Sequence, residues 1–300
     1  MAEAPFHTGP ATPFQAGPGA GALFHPGPGR DVWLPTEQSR GPWSPAHLHG
    51  GPVAALLARA VEAAPTDGGG PFHVARVTVE LQRPVRVDAP VSVASALARP
   101  GRKVQLVEAT LTQGGRVVSQ ARALRIRTAP VPILVPIPVP GTAEAEVDPA
   151  QGPDRRPPGP DEGRRVPSPR GGAAGFHTTG AELRFVEGAF AEPGPATVWV
   201  RLAVPVVPGE EPSPLQRAVA AADFGNGVAS PLRFDQYLFI NPDLTVHLSR
   251  PPVGEWVGLQ ATMRPEADGV GLAQSRLWDR DGVVGRSLQS LFIEGAGAGQ

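Results

Sequence analysis

The sequence predicts an α+β protein built from two tandem units, in each of which a long apolar helix is wrapped by a curved antiparallel β-sheet. The first observation behind this prediction is an internal repeat, because residues 77–124 align without a gap on residues 244–291. Nine of the 48 aligned pairs are identical, whereas about four are expected for unrelated sequences of this composition. The second observation is that each unit carries one apolar helical segment followed by strands with alternating apolar residues.

The first unit begins with two short strand-like stretches, around Phe24 and around Val32. A helix is predicted over 53–64, because Pro52 and Pro65 bracket an alanine- and leucine-rich run with a 3.6-residue period. Four strands, the last two joined by a glycine pair that favours a hairpin turn, are then predicted at 73–82, 91–98, 103–112 and 116–127.

The second unit repeats this plan after a segment rich in proline, which blocks both helices and interior strands. Its elements are predicted as strands at 181–188 and 196–204, a helix at 213–224 and a meander at 236–293. The domain boundaries are therefore predicted as a flexible N-terminus at 1–20, a first unit at 21–128, a linker at 129–178, a second unit at 179–294 and a tail at 295–300.

The composition excludes several classes of function. A net charge of −1 without a basic cluster argues against nucleic-acid binding, and the absence of cysteine excludes disulfides, thiolate metal sites and a cysteine nucleophile. The most apolar run, 131–139, is too short to span a membrane, and the N-terminus lacks the pattern of a secretory signal. We therefore expect a soluble cytoplasmic protein without membrane or nucleic-acid partners.

A set of short motifs occurs along the chain in a characteristic order, namely His49-Gly50-Gly51, Leu81-x-Arg83-Pro84, Ala220-Ala221-Ala222-Asp223-Phe224, Arg250-Pro251, Glu255-Trp256 and Ser287-Leu288-Gln289. Together these motifs resemble the type II acyl-CoA thioesterases, which have a double hotdog fold, and specifically members of the actinobacterial type. The similarity covers most of 20–128 and 180–294. It implies hydrolysis of fatty acyl-CoA to free acid and CoA by an activated water, with no metal or organic cofactor, and association of hotdog sheets into a homo-oligomer.

The resemblance also implies a catalytic set of three residues in the second unit, an Asp, a hydroxyl residue and a Gln, which hold and polarise the water. They match Asp223, Asn241 and Gln289. Asn241 departs from the family, because an amide replaces the hydroxyl group. Shifted back by 167 positions, the three candidates fall, in the same order, on Leu56, Val74 and Arg122, so two of the three have apolar counterparts. This asymmetry is expected of a duplicated protein that has kept one of two sites.

Each candidate also has a purely structural explanation. Asp223 could be an exposed carboxylate beside a glycine at the helix end, yet a carboxylate there opposes the helix dipole at a cost of about 0.3–1 kcal/mol, which favours a function. Gln289 could lie on the outward face of an alternating strand. Asn241 precedes Pro242, where turn residues are common.

The start of the first helix carries two more candidates, Gly50 and Gly51. These glycines either allow close packing of the helix or present backbone N–H groups that stabilise an oxyanion on a thioester carbonyl. His47 and His49 have no carboxylate or third ligand nearby in sequence, so a structural role is favoured over a metal site.

Two other functions stay open. The first is a non-catalytic module that binds acyl-thioesters, in which Asn241 would indicate that the catalytic site has been lost. An enoyl-thioester hydratase or dehydratase would need an Asp–His pair, for which His247 is the only histidine in the second meander. Arg83 in the first unit and Arg250 in the second occupy equivalent positions of the repeat, which indicates a shared architectural role.

Overall fold

The computed structural model describes residues 21–131, 156–169, 173–190 and 192–295. The elements of the first half are β1 (Phe24–Pro26), β2 (Val32–Pro35), α1 (Gly50–Ala63), β3 (Phe72–Glu80), β4 (Val91–Arg99), β5 (Val104–Gln113) and β6 (Arg116–Arg127). Those of the second half are β7 (Ala181–Ala189), β8 (Glu192–Leu202), α2 (Pro214–Ala222), α3 (Gly225–Val228), β9 (Tyr237–Ile240), β10 (Asp243–Leu248), β11 (Val257–Pro265), β12 (Val270–Asp279) and β13 (Gly282–Gly295).

The prediction of a long helix in each unit is not confirmed, since α1 is only two residues longer than the predicted range 53–64 and α2 is three residues shorter than 213–224. α1 has 14 residues, and α2 has 9 residues and ends at Ala222. α1 also begins before the predicted position, at Gly50, so that Pro52 is its third residue and does not precede the helix. The helix tolerates this proline because the N–H groups of its first turn have no intrahelical acceptor.

The strands form one large antiparallel sheet that is continuous across both halves. Along the described part of the chain its order is β1-β2-β4-β5-β6-β3-β10-β13-β12-β11-β8-β7, and β9 pairs with β13. α1 packs against β4, β5 and β6, α2 packs against β8, β10, β11 and β12, and the two helices pack against each other. Both helices therefore contribute to a single apolar core beneath the sheet.

The halves are joined where β3 pairs with β10. Thr78 lies opposite Thr245, and their hydroxyl oxygens are 3.1 Å apart. These two residues are equivalent in the internal repeat, since their positions differ by 167. The symmetry axis of the duplication therefore passes through this pair, and each half contributes an equivalent strand to the junction.

The register of the outer strands differs from the ungapped sequence alignment by one residue. The hairpin of the first half closes at Gln113 and Arg116, and that of the second half at Asp279 and Gly282, which is a shift of 166 and not 167. The structural counterpart of Gln289 is consequently Ala123, so the expected match to Arg122 is wrong. Ala123 is fully buried, which leaves the polar Gln289 without a polar counterpart.

Residues 156–169 belong to the predicted linker and pack on the second half. The indole Nε1 of Trp199 donates to the carbonyl oxygen of Pro158 at 2.7 Å, and Arg164 forms an antiparallel bridge with Phe185. The proposed domain boundaries remain a prediction, and the predicted flexible N-terminus at 1–20 lies outside the described residues. Within the described ranges, none of the helices has the length and apolar character that crossing a membrane requires.

Candidate active site

The end of α2 places a carboxylate in the interior of the protein. α2 starts at Pro214 behind the capping residue Ser213, whose hydroxyl accepts from the N–H of Gln216 at 3.1 Å. Asp223 is the C-cap that follows the last helical residue, Ala222, and it keeps helical dihedral angles before the chain enters α3. Asp223 is only 4% exposed. The structure therefore excludes the interpretation of Asp223 as a surface carboxylate at a helix end.

The start of α1 supplies the first partner of this carboxylate. His49 occupies the N-cap position of the helix, and its Nδ1 lies 2.7 Å from Oδ2 of Asp223 and 3.1 Å from the backbone nitrogen of Gly51. One ring nitrogen cannot donate to the first and accept from the second. We assign the proton to Nδ1, because two lone pairs at 2.7 Å would repel. The N–H of Gly51 is then left to bind another acceptor.

The imidazole of His49 packs against two aromatic rings. Its centroid lies 5.1 Å from that of Phe176 and 4.8 Å from that of Phe224, and the two phenyl rings stack at 5.2 Å. Phe176 is fully buried although the sequence places it in the linker. These ring contacts restrict the movement of the imidazole while its Nδ1 contacts Asp223.

The glycines at the start of α1 are required by close approach. A Cβ atom on Gly50 would lie 2.7 Å and 2.8 Å from the two carboxylate oxygens of Asp223. A Cβ atom on Gly51 would lie 2.7 Å from the ring of Phe176 and 2.8 Å from the carbonyl oxygen of Ala220. All four distances are shorter than real Cβ contacts, so the packing explanation for these residues is correct; an oxyanion role would be additional.

Asn241 supplies the second partner of the carboxylate. It directly precedes the Pro242–Asp243 step into β10, and its Nδ2 donates to Oδ1 of Asp223 at 2.8 Å and to the carbonyl oxygen of Asp243 at 3.2 Å. Each oxygen of the buried carboxylate therefore has one side-chain donor, from Asn241 on Oδ1 and from His49 on Oδ2. Each oxygen keeps a second lone pair for a further ligand.

Gln289 contacts the backbone at the end of α2 and not the carboxylate. Its side chain points inward from β13 and is 1% exposed, which excludes the outward-facing interpretation. Its Oε1 accepts from the N–H of Asn226 at 3.0 Å, and its Nε2 donates to the backbone carbonyl of Asp223 at 3.4 Å. Gln289 thus ties the junction of α2 and α3 to the sheet and fixes the position from which the Asp223 side chain projects.

A cavity of about 560 Å³ opens onto this cluster. His49, Gly50, Asp223 and Asn241 line its polar end. Its apolar wall is dominated by large side chains from both halves, namely Trp43, Phe190, Phe234, Leu238, Phe239 and Ile240. The site is therefore assembled from both units, and its shape suits a ligand with a polar group next to an apolar tail. No cluster of metal-ligating side chains occurs among the described residues.

His177 is a second histidine in the wall of this cavity. Burial, together with the nearby His49, lowers the pKa of His177 to about 4. Its Nδ1 is buried and has no hydrogen-bond partner within the described part of the chain. The ring is therefore neutral at neutral pH and contributes an uncharged wall to the site.

This pKa predicts a specific acid sensitivity. In the unfolded chain His177 binds a proton below about pH 6.5, whereas in the folded protein it does so only below about pH 4. The stability contributed by the neutral ring is therefore complete above pH 6.5 and is lost as the pH falls toward 4. We expect the free energy of unfolding of His177→Gln to fall less than that of the wild type over this range in urea titrations. Exposed His25→Gln should behave like the wild type, and an identical pH profile for all three proteins would contradict the prediction.

The comparisons with known proteins agree with this architecture. A solved structure with the same fold is that of a putative thioesterase II from Thermobifida fusca, which is 21% identical, has a TM-score of 0.64 and covers 89% of this chain and 94% of that one. A hot dog fold protein of unknown function from Alicyclobacillus acidocaldarius is 17% identical, has a TM-score of 0.65 and covers 88% of this chain and 92% of that one. An acyl-CoA thioesterase II, TesB2, from Mycobacterium marinum matches at 16% identity and a TM-score of 0.58 over 91% and 96%. A search of curated proteins gave no match.

Fold and site define a double hotdog protein with one polar cluster at the end of an apolar cavity. The family models are more specific: the acyl-CoA thioesterase N-terminal domain matches residues 39–126, and the acyl-CoA thioesterase C-terminal domain matches residues 153–293. The chain belongs to the acyl-CoA thioesterase family. It is accordingly a thioester hydrolase, and the two alternative functions are not favoured.

Proposed function

We propose that the chain hydrolyses fatty acyl-CoA with a water molecule activated by Asp223, whose carboxylate is oriented by Asn241 and His49 and whose backbone is positioned by Gln289. The observation that carries this proposal is the buried carboxylate at the polar end of an apolar cavity, with one donor on each oxygen. Two donors orient the carboxylate and leave lone pairs for a water, which is the arrangement that a general base needs. The acyl chain would occupy the aromatic part of the cavity.

The reaction would proceed in two steps. The water oxygen attacks the thioester carbonyl carbon while Asp223 accepts a proton from the water, which forms a tetrahedral intermediate with a negative oxygen. The intermediate collapses by breaking its carbon–sulfur bond, and the proton passes to the CoA thiolate, which leaves as a thiol. The N–H groups of Gly50 and Gly51 at the start of α1 are the candidate donors to the oxyanion.

The three predicted catalytic residues would have different tasks. Asp223 is the base, and Asn241 orients its carboxylate in place of the family's hydroxyl residue. Gln289 would act as a positioning residue, because its contacts are with backbone atoms. His49 joins this set through its contact with Oδ2 of Asp223.

The hydratase alternative needs separate consideration, because an Asp–His pair does exist in the site. The pair is formed by Asp223 and His49, not by His247, which is exposed on β10 opposite Arg76. A hydratase would add water to a double bond and release no thiol. Measurement of thiol release from saturated short- to long-chain acyl-CoAs therefore tests the proposed function directly, and its absence with every chain length would refute it.

Asn241 provides a graded test of the same proposal. We expect Asn241→Ala to lower kcat by about 10- to 100-fold, because a hydrogen bond to a buried charged group is lost. Asn241→Thr restores a donor toward Oδ1 and should lie between the wild type and the alanine variant. Gln274→Ala, on the exposed face of β12, serves as the control and should match the wild type. Equal kcat for Asn241→Ala and the wild type would remove Asn241 from the mechanism.

A further inference from the structure

The arginines that recur in the two halves have different surroundings. Arg250 makes a bidentate ion pair with the fully buried Asp279, at 2.5 Å and 2.7 Å. Its repeat equivalent, Arg83, is exposed, and its guanidinium has no hydrogen bond or ion pair with any described residue. The prediction of a shared architectural role is therefore wrong for Arg83.

A single substitution between the halves explains this difference. The hairpin register makes Gln113 the counterpart of Asp279. The hydrogen bonds agree with this assignment, since Asp279 accepts from the N–H of Val253 at 2.7 Å, and Gln113 accepts from the N–H of the equivalent Arg86 at 2.8 Å. The Gln113 amide also donates to the carbonyl oxygens of Arg86 and Ala89. A neutral amide with its oxygen already occupied offers no carboxylate to Arg83.

Arg83 stands at the solvent side of the candidate active site. Two residues earlier, Leu81 donates from its N–H to the carbonyl of Pro242 at 2.7 Å, next to Asn241, and its side chain lies against Gly50. The chain then runs outward through Gln82 to Arg83, and all three line the cavity. The N–H of Arg83 donates to the carbonyl of Val118 at 3.1 Å, so the backbone that carries the cation is anchored.

The carboxylates closest to Arg83 along the chain are engaged elsewhere. Glu80 accepts from the amide of Gln82 at 3.1 Å, and Asp88 is paired with Arg86. An acyl thioester that places its apolar tail in the cavity and its carbonyl near Asp223 has to direct its carrier group past this rim. The planar fork of an arginine binds phosphate oxygens in a bidentate manner.

We propose that Arg83 is a phosphate-binding residue that holds the phosphorylated nucleotide of the CoA carrier, and that the replacement of an Asp279-type partner by Gln113 makes it available. This inference rests on the proposed function, because it assumes that the thioester carbonyl reaches Asp223. It adds a recognition site for the leaving group, whereas the hydrolytic cluster recognises only the thioester.

The first test compares acyl-CoA with the N-acetylcysteamine thioester of the same acid, which lacks phosphates. In Arg83→Gln the ratio of kcat/KM for acyl-CoA to that for the truncated thioester should fall about tenfold. Exposed Arg99→Gln, at the far end of β4, removes the same charge and should leave the ratio at the wild-type value. An unchanged ratio in Arg83→Gln would overturn the proposal.

The second test measures binding of adenosine 3′,5′-bisphosphate by calorimetry and needs no hydrolysis. Arg83→Gln should weaken binding about tenfold, and Gln113→Asp should weaken it similarly by giving Arg83 the partner that Arg250 has. Gln113 does not line the cavity, so weaker binding in this variant cannot come from a lost ligand contact. If the wild type bound the nucleotide but hydrolysed neither thioester, the proposed function would be refuted and the phosphate site would still be supported. Equal affinities in all three proteins would refute the phosphate site alone.

Discussion

Replacing Asp223 by Asn is expected to lower kcat for acyl-CoA hydrolysis by about 10²- to 10⁴-fold, the range that general-base catalysis contributes. The amide has the shape of the carboxylate but cannot accept a proton from water at neutral pH. It must also turn its NH₂ group toward either His49 or Asn241, both of which donate hydrogen bonds in the wild type. The loss should appear in kcat, measured by thiol release at saturating substrate.

The control for this variant is Asp268→Asn, in the exposed turn between β11 and β12. It removes the same charge from the same half of the protein and should retain wild-type kcat. Circular dichroism and thermal melting would show that both proteins are folded. A folded Asp223→Asn protein with at least one third of the wild-type kcat would exclude Asp223 as the base.

Gly50→Ala is expected to lower kcat by at least about 10²-fold, because the new methyl group would overlap both oxygens of the Asp223 carboxylate. It would also lie 2.8 Å from Cδ1 of Leu81. The carboxylate is buried and held on both sides, so it cannot move away without breaking its hydrogen bonds to His49 and Asn241. Alanine is a better helix former than glycine, so the helix itself is not weakened.

The matched control is Gly69→Ala, where the added methyl group meets no atom within 4 Å. This variant should keep the wild-type kcat, and its melting temperature gives the reference for a harmless glycine replacement. A Gly50→Ala protein with normal kcat would show that the carboxylate near Gly50 has no part in the reaction.

The sequence predicted the repeat, the strands of both meanders and the cluster of Asp223 with Asn241, because these depend on local patterns and on a family resemblance. The alternation of apolar residues fixed most strand boundaries of the first half to within two residues. Helix length was less accessible, since the apolar run that suggested a helix to 224 continues past the true end of α2 at Ala222. Alanine-rich segments carry no signal for the residue at which a helix stops.

The contributions of His49 and Phe176 were missed for a different reason. His49 reaches Asp223 only because the start of α1 meets the end of α2, a contact between residues from different halves. Phe176 came from a segment whose prolines and glycines indicated a linker. The histidine before two glycines at a helix start was a usable signal, because glycine at that position allows another group to approach closely.

The different surroundings of Arg83 and Arg250 could not be predicted from the sequence either. The motif of Arg83 recurs in both halves, so the sequence alone does not distinguish Arg83 from Arg250. Only the hairpin register, displaced by one residue from the ungapped alignment, identifies Gln113 as the counterpart of Asp279. Equivalent side chains in duplicated units can have different roles because their interaction partners differ, and only the pairing of strands shows which residues those partners are.

The junction between β3 and β10 has a consequence for the integrity of each half. Each of these strands uses one edge to pair within its own half and the other edge to pair across the junction at Thr78 and Thr245. Separated from each other, both halves would present a free strand edge with unpaired N–H and C=O groups, which is a template for aggregation. The duplication therefore protects each half from self-association, and the covalent connection keeps the protecting strand at a high local concentration.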